Sequence, residues 1–206
     1  DLEDASYSAD EILNAGYNAT ELRAEDYTAV QLHDVSYSIQ DLEDASYSAD
    51  EILNAGYNST ELKAEDYTAV QLHDVSYSIQ DLENANYSAD EILNAGYNST
   101  ELRAEEYTAG QLHDVSYSIQ DLEDASYSAD EILNAGYSST ELRAEDYTAG
   151  QLHDVSYSIQ DLKDAGYTQD EIINAGYTSE ELYQNGYTFE QIVGSTENDI
   201  ATLRSL

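Results

Sequence analysis

Four histidines recur at forty-residue intervals, and each is followed by an aspartate: His33, His73, His113 and His153. With Ser36 nearby, the residue types of a Ser-His-Asp hydrolase are present. An active site is normally a single constellation in a pocket, whereas this one occurs four times. If coils stack, successive histidines stand about 10 Å apart, too far to share one metal ion. We therefore favour an exposed polar position over a catalytic or metal-ligand role.

Acidic side chains are the second source of chemistry, because 44 Asp and Glu stand against 6 Lys and Arg, a net charge of −38. Ca²⁺ needs several oxygens within about 2.5 Å, usually from an Asp-x-Asp-x-Asp-Gly loop. The acids here are spread over predicted helix starts instead. We expect diffuse cations rather than a bound cofactor or metal, and no nucleic-acid partner, because nucleic acid requires a basic surface.

Four asparagines lie in N-glycosylation sequons: Asn18, Asn58, Asn86 and Asn98. Three of them, Asn18, Asn58 and Asn98, also stand where a helix cap is expected, which requires the side chain to face the backbone. We favour capping, and glycosylation remains the alternative.

Tyrosine occupies every tenth position up to Tyr187, beginning with Tyr7, Tyr17, Tyr27 and Tyr37. A row of exposed rings would be a platform for stacking sugars or a site of modification. Each tyrosine precedes a predicted helix cap, however, and a Leu or Ile follows that cap by four residues, the spacing of a hydrophobic staple. We therefore favour a structural ladder beside the core, with hydroxyls reaching solvent or a backbone group.

The elements that position these residues repeat every ten residues. Ser, Thr or Asn follows nearly every tyrosine, and an acid or Gln comes three positions later, as in Ser8 and Glu11. This spacing is a capping box, the signature of a helix start. Gly16, or Asp26 and Ser36 in other units, stands where a left-handed residue closes the helix. Each unit predicts a helix of about two turns, too short to be stable without stacking on neighbours.

A forty-residue period lies on top of the ten-residue period, because residues 1–40, 41–80, 81–120 and 121–160 are nearly the same sequence. Either a forty-residue segment was duplicated, or four unlike helices complete one coil and each stacks on its own kind. We favour the second explanation and predict an all-α solenoid of four units, 40 residues, per coil. The predicted buried stripe comprises Ile39, Leu42, Ala45, Ala49, Ile52, Ala55, Ser59, Leu62, Ala69, Leu72 and Val75.

Three segments are predicted along the chain. Residues 1–160 hold four near-identical repeats, 161–194 hold diverged decapeptides, and 195–206 form a C-terminal capping helix with Ile200, Leu203 and Leu206 on one face. Because no matching cap precedes Asp1, we expect missing sequence or a docking end there. Cysteine is absent, which excludes disulfides, and no apolar run reaches membrane-spanning length, so we expect no membrane insertion.

Decamers such as residues 172–178, with the sequence Ile-Ile-Asn-Ala-Gly-Tyr-Thr, resemble the short-helix decapeptide repeats of bacterial, algal and viral reading frames. They are also similar to tandem-repeat proteins that build glycan-coated extracellular fibrils. The resemblance covers roughly residues 1–194 and brings no catalytic residues. It implies a fibre or surface protein, located outside the cell or at its surface.

Two functions follow from these features. The first is a non-enzymatic structural rod that self-associates into a fibre or continues in a longer chain, as the near-identical copies suggest. The alternative is an acidic α-solenoid scaffold that binds a basic protein partner. A scaffold usually varies its surface from repeat to repeat, and this surface hardly varies, so we favour the structural function.

Overall fold

The computed structural model describes residue 11 and residues 15–195, and within them the predicted all-α fold is confirmed. The helices in this part of the chain are five to seven residues long. In chain order they are Ala19–Arg23, Ala29–Asp34, Ile39–Asp44, Ala49–Leu53, Ser59–Ala64, Ala69–Asp74, Ile79–Asn84, Ala89–Leu93, Ser99–Ala104, Ala109–Asp114, Ile119–Asp124, Ala129–Leu133, Ser139–Ala144, Ala149–Asp154, Ile159–Asp164, Gln169–Ile173, Ser179–Gln184 and Phe189–Ser195.

The capping boxes predicted from the sequence begin every helix from Ala19–Arg23 to Ser179–Gln184. At one of them the Ser48 hydroxyl accepts from the Glu51 N–H at 3.3 Å, and the Glu51 carboxylate accepts from the Ser48 N–H at 2.7 Å. These bonds provide acceptors for backbone N–H groups that have no partner within the helix, which is too short to be stable by itself.

Most helices end in a Schellman motif built on a left-handed residue. Ser36 has φ 72°, its N–H donates to the His33 carbonyl at 2.8 Å, and the Tyr37 N–H donates to the Leu32 carbonyl at 3.1 Å. The tyrosine is thereby placed directly beside the core leucine of its own helix.

The chain divides into two compact units, a first unit of residues 1–97 and a second unit of residues 98–206. In each unit a helix packs mainly against the helix two places along the chain, so the helices form two columns. We call one the histidine column: Ala29–Asp34, Ala49–Leu53, Ala69–Asp74 and Ala89–Leu93 in the first unit, and Ala109–Asp114, Ala129–Leu133, Ala149–Asp154, Gln169–Ile173 and Phe189–Ser195 in the second.

The other is the cation column, which contains the described Lys and Arg side chains. It comprises Ala19–Arg23, Ile39–Asp44, Ser59–Ala64 and Ile79–Asn84 in the first unit, and Ser99–Ala104, Ile119–Asp124, Ser139–Ala144, Ile159–Asp164 and Ser179–Gln184 in the second. One coil is therefore two decapeptides, or 20 residues. The prediction of four units per coil is wrong, because unlike helices stack on each other through matched side chains described below.

The core is built from the Leu or Ile that every helix places at the same position. Leu32, Leu42 and Leu62 are fully buried, and Leu53 adds a second aliphatic side chain in its helix. The predicted stripe is correct except at two residues, because Ala49 is exposed and Val75 is half-buried. The predicted capping helix at 195–206 lies, apart from Ser195, outside the described residues.

Candidate functional site

Tyrosine hydroxyls connect successive coils of the histidine column. The Tyr57 Oη donates to the Tyr37 carbonyl at 2.6 Å, twenty residues earlier in the chain. Burial, reinforced by Asp41 and Glu61, raises the pKa of Tyr57 to about 12. The bond recurs at each described step within a unit, from Tyr37 to Tyr17, Tyr77 to Tyr57, Tyr97 to Tyr77, Tyr137 to Tyr117, Tyr157 to Tyr137 and Tyr177 to Tyr157.

This arrangement places the tyrosines beside the core and uses their hydroxyls for backbone bonding. Tyr27 and Tyr37 are buried, whereas Tyr17 is 38% exposed. Tyr7 lies outside the described residues. The tyrosine rings therefore lie at the edge of the contact between successive coils.

The cation column has the same bond only at alternate steps. The Tyr167 Oη donates to the Tyr147 carbonyl at 2.5 Å, whereas the Tyr147 Oη turns to the Glu123 carboxylate at 3.3 Å. Burial and then the charge of Glu123 raise the pKa of Tyr147 to about 12. Tyr67 bonds Glu43 in the same way. The two kinds of tyrosine hydrogen bond, to a carbonyl and to a glutamate, thus alternate from coil to coil in this column and repeat every forty residues.

Lys and Arg side chains clasp the next coil of the cation column. The Arg23 guanidinium lies 4.7 Å from the Tyr47 ring centroid and donates to the Ala45 carbonyl at 2.9 Å. This cation–π contact recurs wherever the described residues include Lys or Arg, namely Lys63 on Tyr87, Arg103 on Tyr127, Arg143 on Tyr167 and Lys163 on Tyr187.

Histidine takes the place of the cation in the other column. His33 stands ten residues after Arg23, at the same helix position, and its ring meets Tyr57 edge-on with centroids 4.5 Å apart. His73, His113 and His153 repeat the contact with Tyr97, Tyr137 and Tyr177. The side chain of His33 is only 30% exposed. The predicted exposed position is therefore wrong, and the histidines are structural contacts.

The histidine contact requires glycine in the next coil. Gly56 has φ 108°, and a Cβ there would lie 3.3 Å from the His33 ring. A Cβ at Gly176 would lie only 2.9 Å from the His153 ring. Ser46, the equivalent residue in the cation column, carries a side chain although its φ is 66°. Conformation and close approach both explain why glycine recurs in this column.

The histidine and acid types considered for catalysis do not converge on one centre. His153 Nδ1 lies 3.2 Å from Asp154 Oδ1, and the corresponding distance from His33 to Asp34 is 3.9 Å. The Nδ1 atoms of His33, His73 and His113 are buried without a hydrogen-bond partner. In the described part of the chain, no three His, Asp or Glu side chains are placed to hold a metal ion.

Shallow grooves lie beside these contacts. One, of about 440 Å³, is lined by His33, Ser36, Tyr37, Ser38, Ile39, Tyr57, Glu61, Ala64 and Glu65. A second, of about 330 Å³, has the equivalent lining 120 residues later, including His153, Tyr177 and Glu181. We call these the histidine grooves. A groove of about 490 Å³ beside Arg143, Tyr167 and Glu171 is its counterpart in the other column, which we call the cation groove.

The sequon asparagines are all exposed. Asn18, Asn58 and Asn98 are helix caps, as in the bonds of the Asn58 Oδ1 with the N–H groups of Thr60 and Glu61 at 3.0 Å. Asn86 has φ 61° and closes a helix instead. Glycosylation of these residues stays a prediction.

The acidic side chains at the third position of the helices close capping boxes in the described structure. Hydrogen bonds from the Ser48 backbone and hydroxyl, in that order, hold the pKa of Glu51 below its ordinary value. The Ser118 hydroxyl and backbone have the same effect on the pKa of Asp121. These carboxylates are ionised partners of helix N-termini.

Comparison with known families identifies the chain. A model of the decapeptide repeat region matches residues 1–69, 66–139 and 126–195. The chain therefore belongs to the decapeptide repeat family. Comparisons with curated proteins and with solved structures found no significant match. Within the described residues, no helix combines the length and the apolar character required to cross a bilayer.

The contacts of Lys, Arg and His side chains with tyrosine rings of the next coil, which we call clasps, were not predicted from the sequence. Each joins a residue to a tyrosine 24 positions ahead, as from Arg23 to Tyr47 and from His33 to Tyr57. A signal was present, because His recurs every forty residues at the third position of the decapeptide and a Gly follows each His by 23 residues, as Gly56 follows His33. That covariation with a twenty-residue coil would have revealed the columns.

Proposed function

We propose that this protein is a non-enzymatic structural repeat protein that forms fibres outside the cell or at its surface. The observation that carries the proposal is the use of its chemically distinctive side chains. Tyr57, His33 and Arg23 each make a contact between coils, and each contact recurs with little change along both units. The distinctive side chains therefore serve the contact between coils.

The near-identity of the repeats supports the same proposal. Copies 1–40 and 41–80 differ only at positions 19 and 23 of the first copy. A repeat array whose exposed surface does not change presents the same chemistry at each level, which suits a fibre better than recognition of one partner.

Self-association is tested on the purified full chain. Sedimentation velocity and negative-stain electron microscopy over rising protein concentration should show growing assemblies with a filamentous outline. Monodisperse particles at every concentration would contradict the fibre-forming function.

A second candidate function, an acidic scaffold for a basic protein, is favoured by one observation. All Lys and Arg in the described residues are folded onto tyrosine rings, at 4.3 to 4.9 Å from the centroids. The remaining charged groups on the surface are predominantly carboxylates, which attract basic partners over a distance of about 10 Å at physiological salt.

A further inference from the structure

The two kinds of groove are built on the same positions of the decapeptide and differ in the Arg or His that lines them. Each is lined by residues from the same places of the decapeptide: the clasp residue, two tyrosines twenty residues apart, and a capping-box glutamate. In the cation groove these are Arg143, Tyr147, Tyr167 and Glu171. In the histidine groove of the first unit they are His33, Tyr37, Tyr57 and Glu61.

The cation groove shows which chemistry this architecture accepts. Arg143 places its guanidinium 4.6 Å from the Tyr167 ring centroid and donates to the Ala165 carbonyl at 3.0 Å. At the corresponding place in the first unit, Arg23 lies 3.8 Å from the Glu51 carboxylate. A tyrosine ring, a carbonyl and a glutamate together hold a cation supplied by the chain itself.

The histidine groove has the same ring and glutamate but a shorter side chain in the cation's place. Imidazole meets Tyr57 edge-on and lies against Gly56, so it is turned into the coil contact. Glu61 and Glu65, both exposed, add two carboxylates to the lining of the groove. The groove is therefore lined by a tyrosine ring and two carboxylates, with no guanidinium or ammonium group of this chain among its lining residues.

The second unit has a histidine groove beside His153, and the same residue types recur in the sequence beside His113, two coils earlier. The His113 ring lies 4.6 Å from that of Tyr137. The Ser138 hydroxyl and backbone, and to a smaller extent the facing His113, hold the pKa of Glu141 below its ordinary value. The glutamate is thus an ionised acceptor close to His113.

We propose that the histidine grooves bind lysine or arginine side chains from an extended basic segment of a partner protein. This inference rests on the second candidate function and assigns its binding surface. Coils spaced by about 8–10 Å place His113 and His153 of the second unit about 16–20 Å apart. An extended chain at about 3.3 Å per residue would present one basic residue every five or six positions.

The binding test uses the full chain and a fluorescein-labelled peptide with three arginines, each separated by five Gly or Ser residues. Fluorescence anisotropy at low ionic strength measures the affinity. In the double variant His113→Arg and His153→Arg, each new guanidinium takes the cation's place beside Tyr137 or Tyr177, as Arg143 does beside Tyr167. We expect peptide binding about tenfold weaker than for the native chain.

The matched control adds the same charge elsewhere. Gln120→Arg and Gln160→Arg change two exposed residues of the cation column and should alter the affinity by no more than about twofold. His113→Gln with His153→Gln leaves the grooves open and should bind like the native chain. Circular dichroism verifies folding of each variant. On the native chain, a peptide with three adjacent arginines should bind more weakly than the spaced peptide, a comparison that needs no variant to fold.

The outcomes separate the inference from the function on which it rests. Equal weakening by the His→Arg and Gln→Arg pairs, or equal affinity for spaced and adjacent arginines, would overturn the groove assignment and leave charge-driven scaffolding intact. If neither peptide binds the native chain at low ionic strength, the scaffold function and the groove assignment both fail.

Discussion

The histidine column and the cation column are built from the same decapeptide but are joined differently. In the histidine column the tyrosine bonds continue from coil to coil, and an imidazole packs on glycine and a tyrosine edge. In the cation column the tyrosine bonds alternate with Tyr–Glu pairs, and Arg or Lys lies over a ring face. One column depends on fixed close packing, and the other on longer, adaptable side chains.

This difference explains the forty-residue period of a twenty-residue coil. An imidazole ring packs only against a coil that carries glycine at the left-handed position. In the histidine column, glycine occupies that position in every second coil. The 40-residue sequence unit is therefore a pair of complementary coils rather than one large coil.

Alkali should unfold both columns, because ionised tyrosines cannot donate. The pKa values of Tyr57, Tyr137 and Tyr147 are raised from 10.0 to about 12, mainly by burial. A raised pKa means that the folded state retains the proton, so the contribution is complete below pH 10.0 and is lost as the pH rises through about 12. Circular dichroism should show helix loss in this window, together with tyrosinate absorbance. Helix content that persists after full ionisation would contradict the ladder.

Removing one coil should harm the second unit far more than removing two. Deletion of residues 128–147 would stack His113 on a coil that carries Ser156, whose φ is 72°, instead of glycine. Deletion of residues 128–167 would keep the match, because residues 168–177 include Gly176. We expect the shorter deletion to cost at least about 3 kcal/mol more of unfolding free energy. Urea denaturation measures it, and equal stability of both deletions would refute pairing of coils.

The glycine requirement should distinguish the columns by a single methyl group. In Gly136→Ala the new Cβ would lie 3.2 Å from the His113 ring at φ 112°, so we expect a loss of about 2–4 kcal/mol. Ser126→Ala, in the cation column at φ 65°, already tolerates a side chain and should change stability by less than about 1 kcal/mol. Thermal unfolding compares the two variants. Similar losses of stability would mean that the histidine contact imposes no requirement for glycine.

The smallest expected difference concerns the tyrosine hydroxyls. Tyr137→Phe removes the 2.6 Å bond to the Tyr117 carbonyl and should cost about 1–2 kcal/mol. Tyr147→Phe removes a bond to the exposed Glu123, which water can replace, and should cost less than about 0.5 kcal/mol. Chemical denaturation of both variants checks the order, and a larger loss for Tyr147→Phe would reverse it.

Local features of the fold were predictable because they depend on residues close in the chain. The Ser48 and Glu51 capping box spans three residues, and the helix-closing bond from the Tyr37 N–H to the Leu32 carbonyl spans five. The coil size was not predicted, because it depends on contacts 24 residues apart, such as His33 on Tyr57. Ala49 was misplaced for a related reason, since the helix turns Leu53 rather than Ala49 to the core.

The candidate site was only partly predictable. The tyrosine row could be identified from its period, but the acceptor of each hydroxyl lies in another coil, as for Tyr57 on Tyr37. The histidines appeared to be polar surface residues, because the sequence does not reveal that Gly56 leaves room for an imidazole ring.

The most direct test of the twenty-residue coil is a distance between spin labels at positions 120 and 160. The chain has no cysteine, so Gln120→Cys with Gln160→Cys provides two unique labelling points at exposed, equivalent positions. Two coils of about 8–10 Å predict a backbone separation of about 16–20 Å. A separation of about 10 Å, the spacing of directly stacked helices, would show that forty residues complete one coil and would contradict the account.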